Sequence, residues 1–384
     1  MPAGWDDFHG LVDAQVSAYQ YYRYVLDSNG VLIPYGELES DYQTDVITGL
    51  ATTFIENQEA DDDRPFFLSA GYVAPHWSVP PCTVLSPDLD REGNGQFEST
   101  MVAPPPARRH MDELAAMTDA DVSLPRGPAY NEEDVSDKPA FVRNTAPLTQ
   151  AQGERLDRWY RARLASLLAV DEGLRAIREA LDAAGELGRT IFVFTSDNGW
   201  MQGEHRLAYT KLHVYQESTV VPLVIAGPGI RAGGQVAEAT SNIDIAATIL
   251  DLAGAQPRSG YELDGMSLVP YLVEPDVPRD RVVFHETSAD QAGYLAARLG
   301  PWKLRRVRHR GDRAVRPGRG PRRADQSPCR SRPQPGRPGP SGIPGAIQGL
   351  PRTAGRGLLC RLRPGGARAD MTRCPNAPES RQFS

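Results

Sequence analysis

The sequence predicts an α/β fold, and three features carry that prediction. Thr190-Ile191-Phe192-Val193-Phe194-Thr195 is a short run of β-branched and aromatic residues that reads as a buried strand. From Gly153 to about Gly188, Leu156, Tyr160, Leu164, Leu167, Leu174, Ile177 and Leu181 recur at helical spacing, so a long crossover helix feeds that strand. Two further apolar runs, Pro65 to Val73 and Val221 to Ala226, supply a second and a third strand. Ligands of open α/β sheets gather at strand tips, and the central strand ends in Asp197-Asn198-Gly199. Asp197 and Asn198 place two hard oxygens side by side, which suits Ca²⁺ or Mg²⁺, while Gly199 permits a sharp turn. This tip points to a metal-assisted hydrolase.

The remaining elements follow in chain order. Tyr19, Tyr21, Tyr22, Tyr24 and Val25 alternate imperfectly ahead of Asn29-Gly30, a turn signal, and predict a hairpin. Val46, Leu50, Phe54 and Ile55 mark an amphipathic helix with Thr44 or Asp45 as its N-cap. The Pro65–Val73 strand stops at Ala74-Pro75 because proline ends a ladder, leaving His76 at its tip. Asn131 to Pro139 is a polar run that reads as a solvated loop. Arg155, Arg158, Arg163, Arg175 and Arg178 fall largely off the apolar stripe of the long helix. A last helix runs from Asn242 to Ala253, closed by Gly254.

Composition divides the chain in two. Of 42 Lys and Arg and 49 Asp and Glu, about 20 and about 4 lie from Lys303 onward, so an acidic body, 1–302, precedes a basic tail, 303–384. The tail is rich in Arg, Pro and Gly and poor in aromatic and β-branched residues, the composition of a disordered segment. A shifted reading frame in GC-rich DNA produces such a bias; a basic arm is the alternative reading. Nucleic acid is not the expected partner, because no aromatic residues interleave the charges and no binding module is recognisable. No apolar run approaches about 18 residues, which argues against a membrane partner, and Met1 to Asp7 has no export signal, so the cellular address stays unassigned. Cys82, Cys329, Cys360 and Cys374 form neither a CxxC pair nor a zinc spacing.

Thr195-Ser196-Asp197-Asn198-Gly199, Gly203-Glu204-His205-Arg206-Leu207, Lys211, Tyr215-Gln216-Glu217-Ser218 and Val221 to Ile230 together resemble the sulfatase family of the alkaline-phosphatase-like superfamily. Pro65-Phe66-Phe67-Leu68 with Ala74-Pro75-His76 resembles the family's sulfate-contacting histidine block. The resemblance runs from about Gly4 to about Lys303, with features of arylsulfatases and of N-acetylglucosamine-6-sulfatases. It implies a central mixed sheet flanked by helices and hydrolysis of aryl sulfates or sulfated sugars. It further implies Asp197 and Asn198 as calcium ligands, Lys211 as the neutraliser of sulfate, and His76 as a contact to the sulfate or leaving oxygen. These four groups are expected to face one another across one cavity. His205 is implied as either a site-lining or a structural residue, with Glu217 and Ser218 supporting the loop.

The sequence departs from the family pattern at several points. Val220 stands where arginine is common, and Thr210 where a small residue precedes the lysine. The family's nucleophile is a formylglycine made within C-x-P-x-R, and no cysteine here lies in that motif: Cys82-Thr83-Val84-Leu85-Ser86 lacks both Pro and Arg. The paired aspartates of the family's first strand do not precede Gly4. The expectation is therefore an N-terminally truncated, catalytically incomplete sulfatase domain.

Overall fold

The structure, a computed structural model, describes residues 2–12, 18–58, 65–79, 101–118, 122–274, 281–287, 294–300, 302–307 and 312–315. The chain divides into Met1–Ser327 and Pro328–Ser384, and the second unit, like all four cysteines, lies outside the described residues. Three strands open the chain: β1 (His9–Leu11), β2 (Val25–Ser28) and β3 (Val31–Pro34), antiparallel and in the order β1-β2-β3. Asn29-Gly30 makes the β2–β3 turn with both residues at positive φ, 54° and 88°, as a two-residue hairpin loop requires. Tyr24 extends the β2–β3 pairing, its carbonyl accepting from Tyr35 N–H at 2.9 Å, but Tyr21 and Tyr22 do not join it. Tyr21 and Tyr22 are buried instead against Tyr42, Ala169 and Val170.

Helix α1 (Gln43–Gln58) starts earlier than its capping signals indicate. Val46 N–H donates to the Tyr42 carbonyl at 3.0 Å, so Tyr42 occupies the cap position and Thr44 is buried within the first turn. The Pro65–Val73 run, expected as a buried strand, is extended but joins no ladder among the described residues. Phe66 and Leu68 point inward against Ile55, Ile177 and Leu181, while Phe67 is 56 % exposed. The period-2 pattern is retained, but with no neighbouring strand its outer face stays open.

Helices α2 (Met111–Ala116) and α3 (Ala140–Arg143) are short, and α4 (Gln150–Ala183) is the long crossover helix. Thr149 and Gln152 form a reciprocal capping box at its start: Thr149 N–H donates to Gln152 Oε1 at 2.8 Å and Gln152 N–H to Thr149 Oγ1 at 3.3 Å. The buried stripe of α4 keeps Leu156, Ile177 and Leu181 of the predicted one and departs from it between them. Ala162, Ala165, Ser166, Ala169 and Gly173 lie innermost, with Leu164, Leu167 and Leu174 half-buried at the flanks. Small residues let α1 and the 65–73 segment approach closely, and at Gly173 an added Cβ would lie 2.5 Å from Thr48 Oγ1 and 2.9 Å from the Tyr72 hydroxyl.

The central strand β4 (Phe192–Thr195) is followed by the hairpin β5 (Met201–Gln202) and β6 (Ala208–Thr210), then α5 (Gln216–Thr219) and β7 (Leu223–Ala226). β4 pairs antiparallel with β7, Phe192 opposite Ala226 and Thr195 opposite Leu223. The pair is half-buried rather than buried, with Phe194 40 % and Val224 56 % exposed, because it packs by one face on the α1–α4 cluster through Phe192. Helix α6 (Ile243–Leu252) ends at Gly254, φ 63°, as its glycine predicts, and α7 (Val269–Val273) follows. At α6 the fully buried Asp244 carboxylate accepts from Ser241 N–H (2.7 Å), Met266 N–H (3.0 Å) and the Arg281 guanidinium (2.7 Å).

Four strands close the described fold: β8 (Val282–Glu286), β9 (Tyr294–Leu299), β10 (Trp302–Val307) and β11 (Asp312–Val315), in the order β11-β10-β9-β8. This sheet continues across the point at which the composition turns basic. All named ladders among the described residues are antiparallel. No described helix is long and apolar enough to cross a membrane. Burial and the neighbouring cations Lys303 and Arg298 push His285 down to about 4, and burial lowers Lys303 to about 8.

Replacing Gly173 with alanine should destabilise the protein by about 1–3 kcal/mol, overriding the gain of up to about 1 kcal/mol in helix propensity, because the methyl group is forced against Thr48 and Tyr72. Urea titration would show it as a lower midpoint; a raised midpoint would mean that α1 yields freely. The unfolded chain protonates His285 at a higher pH than the folded one, so stability should fall as pH drops from 6.5 towards 4 and then level off with respect to this group. His285→Gln should flatten that part of the thermal-midpoint profile, and parallel profiles would exclude the histidine as its source.

Candidate functional site

The site is assembled from three chain segments that meet near the end of β4. Asp197 and Asn198 follow the strand directly, His76 follows the extended 65–73 run, and Lys211 follows β6. The Lys211 ammonium donates to Asn198 Oδ1 at 3.2 Å and lies 3.5 Å from His76 Nε2. His76 Nδ1 is 2.9 Å from the Trp77 carbonyl, which only accepts, so Nδ1 carries the proton and Nε2 turns its lone pair towards Lys211. Burial lowers the His76 pKa, and the Lys211 charge adds to that; the Trp77 carbonyl and the Asp197 charge oppose it without reversing it. The imidazole is therefore neutral at neutral pH.

The backbone around the strand tip is tightly fixed. Asp197 Oδ1 accepts from Asn198 N–H at 2.8 Å, and Asn242, at the start of α6, donates to the carbonyls of Ser196 (3.2 Å) and Asp197 (3.1 Å). Gly199 N–H donates to the Ser218 carbonyl at 3.0 Å, and a Cβ at Gly199 would lie 2.0 Å from the Glu217 carbonyl oxygen. Only glycine fits there. Ser218 Oγ in turn accepts from His213 N–H at 3.2 Å, so Glu217 and Ser218 support the turn through backbone and hydroxyl contacts.

A cavity of about 890 Å³ is lined by Asp197 and Asn198 and by residues of β7, β8, β9 and α7, but not by His76 or Lys211. Those two approach Asn198 from outside that cavity. Asn198 Nδ2 donates to the Gly199 carbonyl at 2.9 Å, which leaves Oδ1 to Lys211.

A resident Ca²⁺ does not fit the described side chains alone. Ca²⁺ takes about 6–8 oxygens. Among the described residues no group of three or more His, Cys, Asp or Glu converges, and the ammonium of Lys211 already uses Asn198 Oδ1.

Several residues that shape the site were not marked by the sequence. Arg163 of α4 is half-buried, donating to Gln202 Oε1 at 2.6 Å and to the Pro75 carbonyl at 3.4 Å, and thereby joins the His76 loop to the β5–β6 hairpin. The Tyr21 hydroxyl donates to the His76 carbonyl at 2.7 Å. Its position off the stripe of large apolar residues concealed Arg163. The polar run 131–139, expected as solvated loop, contains buried Glu132 and Lys138. Glu132 accepts from Lys138 at 3.0 Å and from His205 Nδ1 at 2.8 Å. Burial raises the Glu132 pKa, but these two bonds outweigh it and hold the carboxyl below its usual range. His205 is buried with its ring 4.1 Å from that of Tyr215, an environment that fixes the loop rather than facing His76.

Comparison with known proteins places this architecture. The Sulfatase family model matches residues 4–255. An arylsulfatase of Volvox carteri is 36 % identical over 284 residues, covering 71 % of this chain and 40 % of the relative. The N-acetylglucosamine-6-sulfatase of Homo sapiens is 29 % identical over 275 residues, covering 71 % of this chain and 43 % of the relative. The chain thus spans less than half the length of these curated relatives. A protein solved in complex with its substrate D-glucosamine-2-N,6-O-disulfate superposes with a TM-score of 0.55 at 24 % identity, covering 82 % of this chain and 69 % of that one. That likeness shows the fold, which is the alkaline-phosphatase-like α/β architecture. With two thirds of its length matched by the family model, the chain belongs to the sulfatase family.

Proposed function

We propose that this chain carries the sulfate-holding side of a sulfate ester hydrolase site, acting on aryl sulfates or sulfated sugars. The observation that carries the reading is the meeting of Lys211, Asn198 and His76 within 3.5 Å. A compact ammonium is suited to neutralise sulfuryl oxygens, and an entering sulfate would take over the Lys211 bond that Asn198 now accepts. His76 Nε2 holds a lone pair rather than a proton, so the proton for the departing alcohol oxygen would come from the Lys211 ammonium, relayed through Nε2, leaving an amine that water reprotonates. The Volvox carteri and human relatives support the ester class through their names.

Sulfatases generally use Ca²⁺ and a formylglycine, and here Asp197 and Asn198 would contribute two of the oxygens. No cysteine of the sequence lies in C-x-P-x-R. The reading is that this polypeptide by itself holds sulfate without turning an ester over.

Inorganic sulfate binding, measured by calorimetry, should weaken about 10- to 100-fold in Lys211→Ala, the range expected for a charge-assisted hydrogen bond. An unchanged affinity would remove Lys211 from the sulfate pocket. The purified chain should hydrolyse 4-nitrophenyl sulfate no faster than buffer; turnover abolished by Asp197→Ala would show that the site is complete. Millimolar Ca²⁺ should move the thermal midpoint by about 1 °C or less, since two oxygens make a weak site. A rise of several degrees that disappears in Asp197→Ala would reveal a fuller cage.

A further inference from the structure

His76 lies in an aromatic enclosure that handling sulfate does not require. The Tyr19 ring stacks on the imidazole, centroids 4.5 Å apart and planes 15° apart. Trp77 stands 4.7 Å from His76 and 5.0 Å from Tyr19, and Trp200, next to the Asp197-Asn198-Gly199 turn, is 6.4 Å from His76. Trp77 and Trp200 are held from behind by a core cluster of Met101, Ala103, Trp159 and Ala162, so the wall is firmly backed. Tyr19 is its outermost member and is 40 % exposed.

A sulfuryl group is satisfied by a cation and hydrogen-bond donors, and aromatic faces offer it nothing. They match instead a flat apolar surface, such as an aryl ring or the C–H face of a pyranose. The position of the wall decides which part of a substrate it would meet. An ester whose sulfate lies on Lys211 and whose bridging oxygen lies at His76 must send its alcohol portion past the ring stacked on His76.

We propose that Tyr19, backed by Trp77 and Trp200, forms the subsite for the ring that bears the sulfate, so that the site selects esters of cyclic alcohols over those of short alkyl alcohols. This rests on the reading of Lys211 and His76 as the sulfate pocket. Tyr19 contributes ring-face contact and sets specificity, and its hydroxyl is dispensable.

The test is calorimetric binding to the whole chain of four probes: inorganic sulfate, methyl sulfate, 4-nitrophenyl sulfate and glucosamine 6-sulfate. Tyr19→Ala should weaken the two ring esters about 2- to 12-fold, the range of an aromatic contact, and leave inorganic and methyl sulfate within about twofold. Tyr19→Phe should bind all four as the unaltered chain does. The two ring esters separate an aryl from a sugar preference. Equal weakening of all four probes would mean that Tyr19 only supports His76, and no weakening of the ring esters would mean that the ring passes elsewhere; either result overturns the subsite. If Tyr19→Ala fails to fold, Tyr19→Leu keeps the bulk without the aromatic face and carries the same expectations. Sulfate binding insensitive to Lys211→Ala would sink the sulfate pocket alone, while selective loss of ring esters in the Tyr19 variant would still uphold the aromatic subsite.

Discussion

One half-buried arginine holds the two halves of the site in register. Arg163 reaches from α4 to the Pro75 carbonyl on one side and to Gln202 on the other, so the loop presenting His76 and the hairpin presenting Lys211 are tied to the same helix. Burial lowers the Arg163 pKa, yet an arginine stays charged, and its hydrogen bonds offset the loss of water. Removing it would leave a polar gap between the two segments and free each to drift. The separation of His76 Nε2 and Lys211 Nζ, on which the sulfate reading depends, is thus set by a residue that touches neither side chain.

The hairpin bearing Lys211 is also held in a strained form. His205, Arg206, Tyr209 and Leu212 all have positive φ, between 53° and 69°, although none is glycine. Each such residue costs about 1–2 kcal/mol. The restraint comes from the 129–145 segment: the Arg206 guanidinium donates to the carbonyls of Glu132 (2.9 Å), Glu133 (2.7 Å) and Thr145 (3.2 Å), and His205 N–H donates to the Ala129 carbonyl at 2.7 Å. Glu132, between Lys138 and His205, is the centre of that arrangement. Tyr209 adds its ring to Trp159 of α4 at 4.6 Å, edge to face. With left-handed residues on both sides of it, Lys211 can point in few directions other than towards Asn198.

What could be read from the sequence was whatever local chemistry determines. Asn29-Gly30 dictates its turn, Gly254 ends α6, and the spacing of apolar residues locates α4 and β7, because each depends on residues a few positions apart. The inner face of α4 was legible at Leu156, Ile177 and Leu181 but not between them: close helix packing favours Ala162, Ala165 and Gly173 there, and no periodicity of large residues reports that. The 65–73 run shows the same limit, since an alternating pattern states which face turns inward but not whether a neighbouring strand is there. Asp197 and Asn198 were visible as a polar strand tip, whereas His76 and Lys211 could be grouped with them only through resemblance. The Glu132–His205 pair, 73 residues apart, and the part played by Arg163 arise from tertiary contact and leave no mark in composition.

The narrowness of the β4–β7 pair reaches beyond the site. Among the described residues β4 is laddered only to β7, so no described strand pairs its other edge, and the Phe194 and Val224 side chains on the pair are exposed. Such an edge is a template for any extended segment that diffuses to it. In a concentrated solution that segment would come from a neighbouring molecule, and pairing of that kind is how open sheet edges lead to aggregation.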